Sequence, residues 1–497
     1  MKHTTFKSHP LSRLSISENK RYFIKEDGTP FLWLADTVWT MPQRMKWDDV
    51  EYYMQTRKNQ GFTVLQIVAL DPERDEDIRN PAGEKALINN DLSSPNENYF
   101  SYLDWILDRA EAYGFYVLLL PVWGQMVVGE NWQGEKFPKT VNEGNAYQYG
   151  KWIGSRYRTR TNILWCLGGD RPPVHNGTDY KNVWRRLAEG LAKGVLDKDL
   201  KYNQNRKEWK DLLITYHSSY DVHSGECSTM SFWTDEEAWI QFIMLQSGHG
   251  LTVKNYELIK KEYDREHPMP VWDGEPAYEA MPNSWPVKPD SYHGSWMVRR
   301  RAYFSLFAGA FGFTYGHSSM WCTISPREVN PVTPYTWYEA LTQEGAYHIK
   351  NLRDFLESID LTKFVPSQEI LLFPRDTDAS DESRHIQACK DMENKRICVY
   401  FPQYITAELE LSDFPPELFL PWYDPRNGNA LAAEKIKITG SRLTINPPSN
   451  GSEEDWILLL GKEEASISLV AKNIEPQRKQ KKLKKYLNGN IILFILF

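Results

Sequence analysis

Most familiar signatures of catalytic or binding chemistry are missing from this chain. Its five cysteines, Cys166, Cys227, Cys322, Cys389 and Cys398, are odd in number and widely spaced, which makes neither a disulfide framework nor a zinc knuckle. Cys389 and Cys398 are spaced so that a hairpin can set them face to face. His217, His223, Glu226 and Cys227 come nearest to a metal set, but their spacing matches no knuckle and there is no His-Glu-x-x-His. A Gly-x-Ser-x-Gly elbow is also absent. Gln246-Ser247-Gly248-His249-Gly250 places a serine beside glycines at the wrong spacing, so Ser247 is a nucleophile only if exposed with His249 or His217 as base. No glycine-rich phosphate fingerprint follows the first strand, which counts against an open dinucleotide-binding sheet. Charge of one sign is scarce: 59 Lys and Arg against 66 Asp and Glu give a net charge of -7, and no nucleic-acid footprint. The apolar end 491–497 is far shorter than the ~20 residues that span a membrane. Met1-Lys2-His3-Thr4-Thr5-Phe6 runs into polar residues without an apolar core, so no secretory leader is expected.

What the chain has in quantity is aromatic: 19 Trp, 27 Tyr and 21 Phe. Flat rings with a polar handle fill cores, and they also stack against sugar rings. At 497 residues the chain is long enough for two domains. The residues 22–24 and 31–34 flank an Asp27-Gly28 turn, a hairpin signal. From there, apolar strand runs alternate with helical periods. Strands are expected at 31–34, 62–70, 115–121, 162–167, 212–216, 240–245, 270–272 and 311–316. Helices are expected at 47–60, 99–113, 145–158, 181–196, 251–261 and 294–308, with a further one at 339–359. Eight such units predict an α/β fold, a (β/α)8 TIM barrel, over residues 12–362. Beyond 366 the period changes to short strands at 370–373, 396–401, 407–411, 436–438, 456–460 and 465–470. These predict a small all-β sandwich domain over 363–471, followed by a basic and then apolar tail, 472–497, with no assigned role.

In a TIM barrel the residues at the C-terminal strand ends share one mouth. The segment Asn162-Ile163-Leu164-Trp165-Cys166-Leu167-Gly168-Gly169-Asp170 ends an apolar run in two glycines and a carboxylate, with Arg171 next. An Asp there is a helix cap or a catalytic group. Asp36 and Trp39 follow the first strand, and Gln66 sits at the second. Trp123 follows the third strand, His217 the fifth, and Gln246 and His249 the sixth. Glu275 and Tyr278 follow the seventh, and Tyr315, His317 and Trp321 the eighth. Three carboxylates, imidazoles, amides and aromatic faces suit a substrate with many hydroxyls. Hydrolysing an acetal takes two carboxyl groups, and Asp170 and Glu275 are the candidate pair. Asp36 is expected to bind a substrate hydroxyl or to stabilise the mouth. His217 and His249 are expected to bond sugar hydroxyls or a catalytic carboxylate, or to be internally satisfied. No cofactor and no metal is required.

Several motifs in order carry a resemblance. They are Phe31-Leu32-Trp33-Leu34-Ala35-Asp36-Thr37-Val38-Trp39, the run ending in Asp170, and Gln246-Ser247-Gly248-His249-Gly250. With these go Gly274-Glu275-Pro276-Ala277-Tyr278-Glu279 and Arg301-Ala302-Tyr303, followed by Ala308-Gly309-Ala310-Phe311-Gly312-Phe313-Thr314-Tyr315-Gly316. Together they are similar to the apiosidase-like glycoside hydrolases, domain of unknown function 4038 and glycoside hydrolase family 140, found mostly in Bacteroidetes. Trp422-Tyr423-Asp424-Pro425-Arg426-Asn427-Gly428 resembles a domain named for collagen binding in a collagenase, although nothing in the sequence itself points to collagen. The resemblance implies a barrel of the large retaining clan, with Asp170 as acid/base, Glu275 as nucleophile and a pectic or other complex glycan as substrate. It also implies a periplasmic or extracellular setting. Such barrels usually carry Asn-Glu at strand four, whereas this chain has Gly169-Asp170. The shorter acid needs a closer backbone, which two glycines permit. Retention predicts carboxyl groups about 5–5.5 Å apart, and inversion roughly 6.5–9.5 Å. Trp39, Trp123, Tyr278 and Trp321 are candidate sugar platforms, with core packing expected for at least one of them. A non-catalytic glycan-binding protein on a degenerate barrel is the alternative, and an adhesive role centred on the second domain is another. Oligomeric state, linkage and sugar identity are not readable from the sequence.

Overall fold

The computed structural model describes residues 10–72, 77–131, 133–220, 225–373 and 382–462. Its apolar runs form eight parallel strands: β1 (Trp33–Thr37), β2 (Val64–Val68), β3 (Tyr116–Leu120), β4 (Ile163–Gly168), β5 (Ile214–His217), β6 (Ile243–Leu245), β7 (Val271–Asp273) and β8 (Gly312–Tyr315). They are hydrogen-bonded in the order β5-β4-β3-β2-β1-β8-β7-β6, and a single parallel bridge between Ile214 and Ile240 spans the seam between β5 and β6. This is the expected barrel. The principal helices between the strands are α1 (Trp47–Asn59), α2 (Glu97–Tyr113), α3 (Glu143–Tyr157), α4 (Lys181–Leu196), α5 (Asn255–Tyr263) and α6 (Ser295–Phe307), with α7 (Glu344–Ile359) after β8. Caps end them where the sequence allows: Asn96 accepts from the Asn98 N–H at the start of α2, and Gly114 closes it in the left-handed region.

Successive side chains of a strand face opposite ways, so each strand feeds two cores. Trp33, Ala35, Val64, Val68, Tyr116, Leu118, Leu120, Leu164, Cys166, Met244 and Trp272 fill the barrel interior. Leu34, Leu65, Ile67, Val117, Leu119, Trp165, Leu167, Ile243 and Leu245 pack outward against the helices. The bottom of the barrel is closed by a small antiparallel sheet of Ser15–Ile16, Phe23–Ile24 and Pro30–Phe31, with Phe23 packed edge-on against Phe242 and Phe311.

After α7 the chain becomes antiparallel. The strands β9 (Gln387–Asp391), β10 (Arg396–Phe401), β11 (Glu417–Leu420) and β12 (Trp456–Gly461) belong to one sheet. Leu371–Phe373, Ala407–Glu410 and Arg442–Ile445 form a second. A core including Ile397, Val399, Phe401, Leu409, Leu418 and Leu458 is shared by the two sheets. Cys389 and Cys398 do face each other in the β9–β10 register, and both are free thiols. The strand expected at 465–470 and the tail 472–497 lie outside the described residues.

This domain is not a detachable module. Its other face merges with the barrel core through Cys389, Cys398, Tyr400, Tyr423, Ile457 and Leu459. Tyr303 of α6 stacks on Tyr400 with centroids 5.0 Å apart, and Phe355 of α7 meets Tyr423 at 4.8 Å. Among these rings the Arg299 guanidinium donates to both oxygens of Asp455, at 2.7–3.0 Å. It also donates to His348 Nδ1 at 3.0 Å, so that nitrogen accepts and His348 is neutral there.

Candidate active site

The site is built from the sharp end of β4. Gly168, Gly169 and Asp170 have φ of 88°, 101° and 52°, three successive left-handed residues that swing the chain across the barrel mouth. A Cβ on Gly168 would lie 2.2 Å from the His217 carbonyl oxygen, and one on Gly169 would lie 2.7 Å from the Trp123 ring. The two glycines are therefore required twice over, by φ and by closeness. Asp tolerates the left-handed region better than most side chains, which suits position 170.

The Asp170 carboxylate is held on both oxygens. Gln246 Nε2 donates to Oδ1 at 2.9 Å, and an Arg171 Nη1 donor lies 2.8 Å from Oδ2. The same Arg171 nitrogen reaches the Asp170 carbonyl, while its Nε donates to the Glu130 carbonyl. The Asp170 N–H donates to His217 Nδ1 at 3.3 Å. That bond makes Nδ1 the acceptor, so the ring proton of neutral His217 sits on Nε2. Nε2 lies 2.9 Å from Glu275 Oε2. One fully buried imidazole thus connects the Asp170 backbone to the Glu275 carboxylate. Trp39 stacks on this imidazole at 5.6 Å and Trp123 meets it edge-on at 5.7 Å, which fixes the ring plane.

Glu275 has a second imidazole, His249 Nε2, 3.5 Å from Oε1. Burial pushes the Glu275 pKa up, but hydrogen bonding from the His217 and His249 imidazoles outweighs it and holds the group below the usual carboxylate range. Glu275 is ionised at neutral pH. Tyr278 lies over His249, centroids 4.4 Å apart, and burial beside Glu275 raises its phenol well above its ordinary value, so it remains a neutral donor.

Gln246 and His249, which face the two carboxylates, sit on one loop after β6, and that loop is pinned from behind. Ser247 Oγ donates to Asp273 Oδ2 at 2.7 Å and its N–H to Oδ1 at 3.3 Å. Asn255 Nδ2 reaches the same carboxylate at 3.3 Å, and also Ser305 Oγ at 2.7 Å. Ser247 is 1% exposed and serves Asp273, so it is not a nucleophile. The Gly248 N–H closes the loop onto the Glu275 carbonyl at 3.0 Å.

Asp170, Glu275, Gln246, His249, Trp39, Trp123, Tyr278 and Trp321 all line one cleft of about 250 Å³, together with Met281, Trp285 and Val332. Other expected site residues are elsewhere. Asp36 follows Ala35, an inward residue, and therefore points outward; fully buried, it bonds Tyr53 and Arg57 at 2.5 Å and binds the barrel to α1, so a substrate hydroxyl does not reach it. Tyr315 also lies on the outer face and donates to Glu279 Oε2 at 2.6 Å. Gln66 points inward but is fully buried, tying Thr37 Oγ1 to the Gly274 carbonyl under the Glu275 turn. Arg171 orients Asp170 from outside the cleft lining, and His317 is a buried acceptor for the Ser319 N–H. Sequence reasoning missed Trp285, Met281 and Val332. It also missed the Ser247–Asp273 link, which joins groups 26 positions apart. Among the described residues no group of three or more His, Cys, Asp or Glu is placed to hold a metal ion, and His223 lies outside them. Among the same residues no helix is long and apolar enough to cross a membrane.

Comparison with known proteins agrees with the fold. A solved glycoside hydrolase superimposes with a TM-score of 0.77 at 25% identity, over 92% of this chain and 98% of its own. A glycoside hydrolase of family 5 from Bacteroides vulgatus does so with a TM-score of 0.76 at 25% identity, over 92% and 95%. No curated protein matches the sequence. The family "Putative collagen-binding domain of a collagenase" matches residues 365–461. The family "Apiosidase-like, catalytic domain" matches residues 17–363, most of the chain, and the protein belongs to that apiosidase-like family.

Proposed function

We propose that the protein is a retaining glycoside hydrolase acting on a pectic or other complex plant glycan. The observation that carries the proposal is one short cleft holding two carboxyl groups, one of which, Glu275, is kept ionised by two imidazoles. Asp170 in its acid form protonates the departing glycosidic oxygen while Glu275 attacks the anomeric carbon. Asp170 then takes a proton from the water that releases the sugar from Glu275. His217 positions both partners: it receives the Asp170 N–H and faces the attacking carboxylate. The Gln246 amide donates to Asp170 Oδ1 and holds that carboxyl group toward the cleft. The apiosidase-like family and the similar glycoside hydrolase structures support this reading.

The test is a screen of pectic, xylan, mannan and arabinogalactan oligosaccharides, with cleavage and binding measured separately for wild type and Glu275→Gln. Cleavage lost with binding kept is the expected result. Unchanged cleavage by the variant removes the nucleophile, and binding without cleavage by wild type turns the reading to a glycan-binding protein. In the active case, NMR of the first released anomer distinguishes retention from inversion.

A further inference from the structure

Trp39 and Trp123, the rings beside His217, are 2% and 6% exposed, whereas Trp285, on the same cleft, is 66% exposed. Among the described residues it is the most exposed of the large apolar side chains. It is not carried on a loose loop. The excursion after β7 is laddered by the Ala280 N–H to the His293 carbonyl at 2.8 Å, the His293 N–H to Met281 at 2.9 Å and the Asn283 N–H to Ser291 at 2.9 Å. Pro282 and Tyr292 form an antiparallel bridge, and the Tyr292 hydroxyl donates to the Pro331 carbonyl at 2.8 Å. The hairpin presents Trp285 beside Met281 and Val332 at the solvent end of the cleft.

We propose that Trp285 is the platform of an outer sugar subsite, stacking on the apolar face of a ring next to the one whose linkage is cut. This rests on the glycoside hydrolase reading and deepens it by naming the residue that holds the sugar beyond the cut linkage. The carboxyl groups and the buried Trp39, His217 and Trp123 rings lie at the inner end, so an exposed ring at the rim meets a different sugar. Stacking needs only C–H groups on one face of the sugar, and the indole offers a large rigid surface for them at little entropic cost.

Affinity electrophoresis tests this in gels cast with pectic rhamnogalacturonan, arabinogalactan, xyloglucan or galactomannan. Glu275→Gln, chosen to bind without turning over, is compared with the same variant carrying Trp285→Ala, Trp285→Phe or, as a control ring on the second domain, Tyr404→Ala. At least one polysaccharide should retard Glu275→Gln. Adding Trp285→Ala should weaken that retardation about tenfold, with partial recovery for Trp285→Phe and none of the loss for Tyr404→Ala. Equal retardation with and without Trp285, or no retardation in any gel, overturns the platform. Trp285-dependent retardation with no sugar released by wild type keeps the platform and removes the hydrolase reading instead.

Discussion

Gly168→Ala puts the β4 turn under the most direct stress. At φ 88° the alanine costs about 1–2 kcal/mol in backbone strain alone. Its Cβ would also lie 2.2 Å from the His217 carbonyl oxygen and 3.0 Å from Tyr216 Cζ. Ordinary van der Waals contact requires β5 to retreat by more than ~1 Å, and overpacking of this kind costs about 1–3 kcal/mol more. Gly28→Ala is the matched control, because Gly28 has φ 81° but nothing within 4 Å of its missing Cβ. Urea denaturation of both variants should show Gly168→Ala less stable than Gly28→Ala by about 1–3 kcal/mol. The displaced residue, His217, contacts both the Asp170 backbone and Glu275, so cleavage should fall by about a hundredfold in Gly168→Ala alone. Equal losses of stability, with wild-type cleavage in both, would refute the claim that the glycine exists for close approach.

Other perturbations follow from the same contacts. Ser247→Ala removes the hydroxyl that anchors the 246–249 loop on Asp273, and should lower stability by about 1–3 kcal/mol and slow cleavage without abolishing it. Complete loss, with the fold intact by circular dichroism, would restore Ser247 as a nucleophile. Arg299→Met leaves Asp455 buried without its cation, and should cost about 3–5 kcal/mol in thermal or urea unfolding. A midpoint within error of wild type would show that this pair does not secure the two domains. Burial lowers His317 to about 3 from its ordinary 6.5, so the folded protein keeps it neutral while the unfolded chain takes up a proton. Stability therefore falls as pH drops below 6.5 toward 3, with a His317 share of about 2 kcal/mol between pH 7 and pH 5. His317→Gln should flatten the pH dependence of the urea midpoint by that amount, and an unchanged dependence contradicts the assignment.

Much of the fold was legible because a barrel strand covered on both faces is apolar throughout, and runs such as Val117-Leu118-Leu119-Leu120 cannot be mistaken for a surface. That same property hid the direction of the polar residues. With Leu34 and Ala35 both apolar, nothing in the sequence says which neighbour faces inward, and one step of register separates the outward Asp36 from the inward Gln66. Asp170 and Glu275 were singled out because glycines and prolines mark sharp exits from strands. Trp285 was not, since its exposure comes from a hairpin laddered by backbone bonds that carry no side-chain signature. The tight seam between the domains was equally invisible. Tyr303, Phe355, Tyr400 and Tyr423 read as ordinary core residues of separate domains, yet they pack on one another. Removing residues after 365 would expose the aromatic faces of α6 and α7 that these contacts cover.

Chemical rescue tests the two carboxyl roles most directly. Glu275→Gly and Asp170→Gly are incubated with azide and an aryl glycoside of the sugar identified in the oligosaccharide screen, and the product's anomeric configuration is read by NMR. Azide should restore turnover in both, giving an inverted glycosyl azide from Glu275→Gly and a retained one from Asp170→Gly. The same configuration from both variants, or wild-type turnover in either without azide, contradicts the assignment of Glu275 as nucleophile and Asp170 as acid/base.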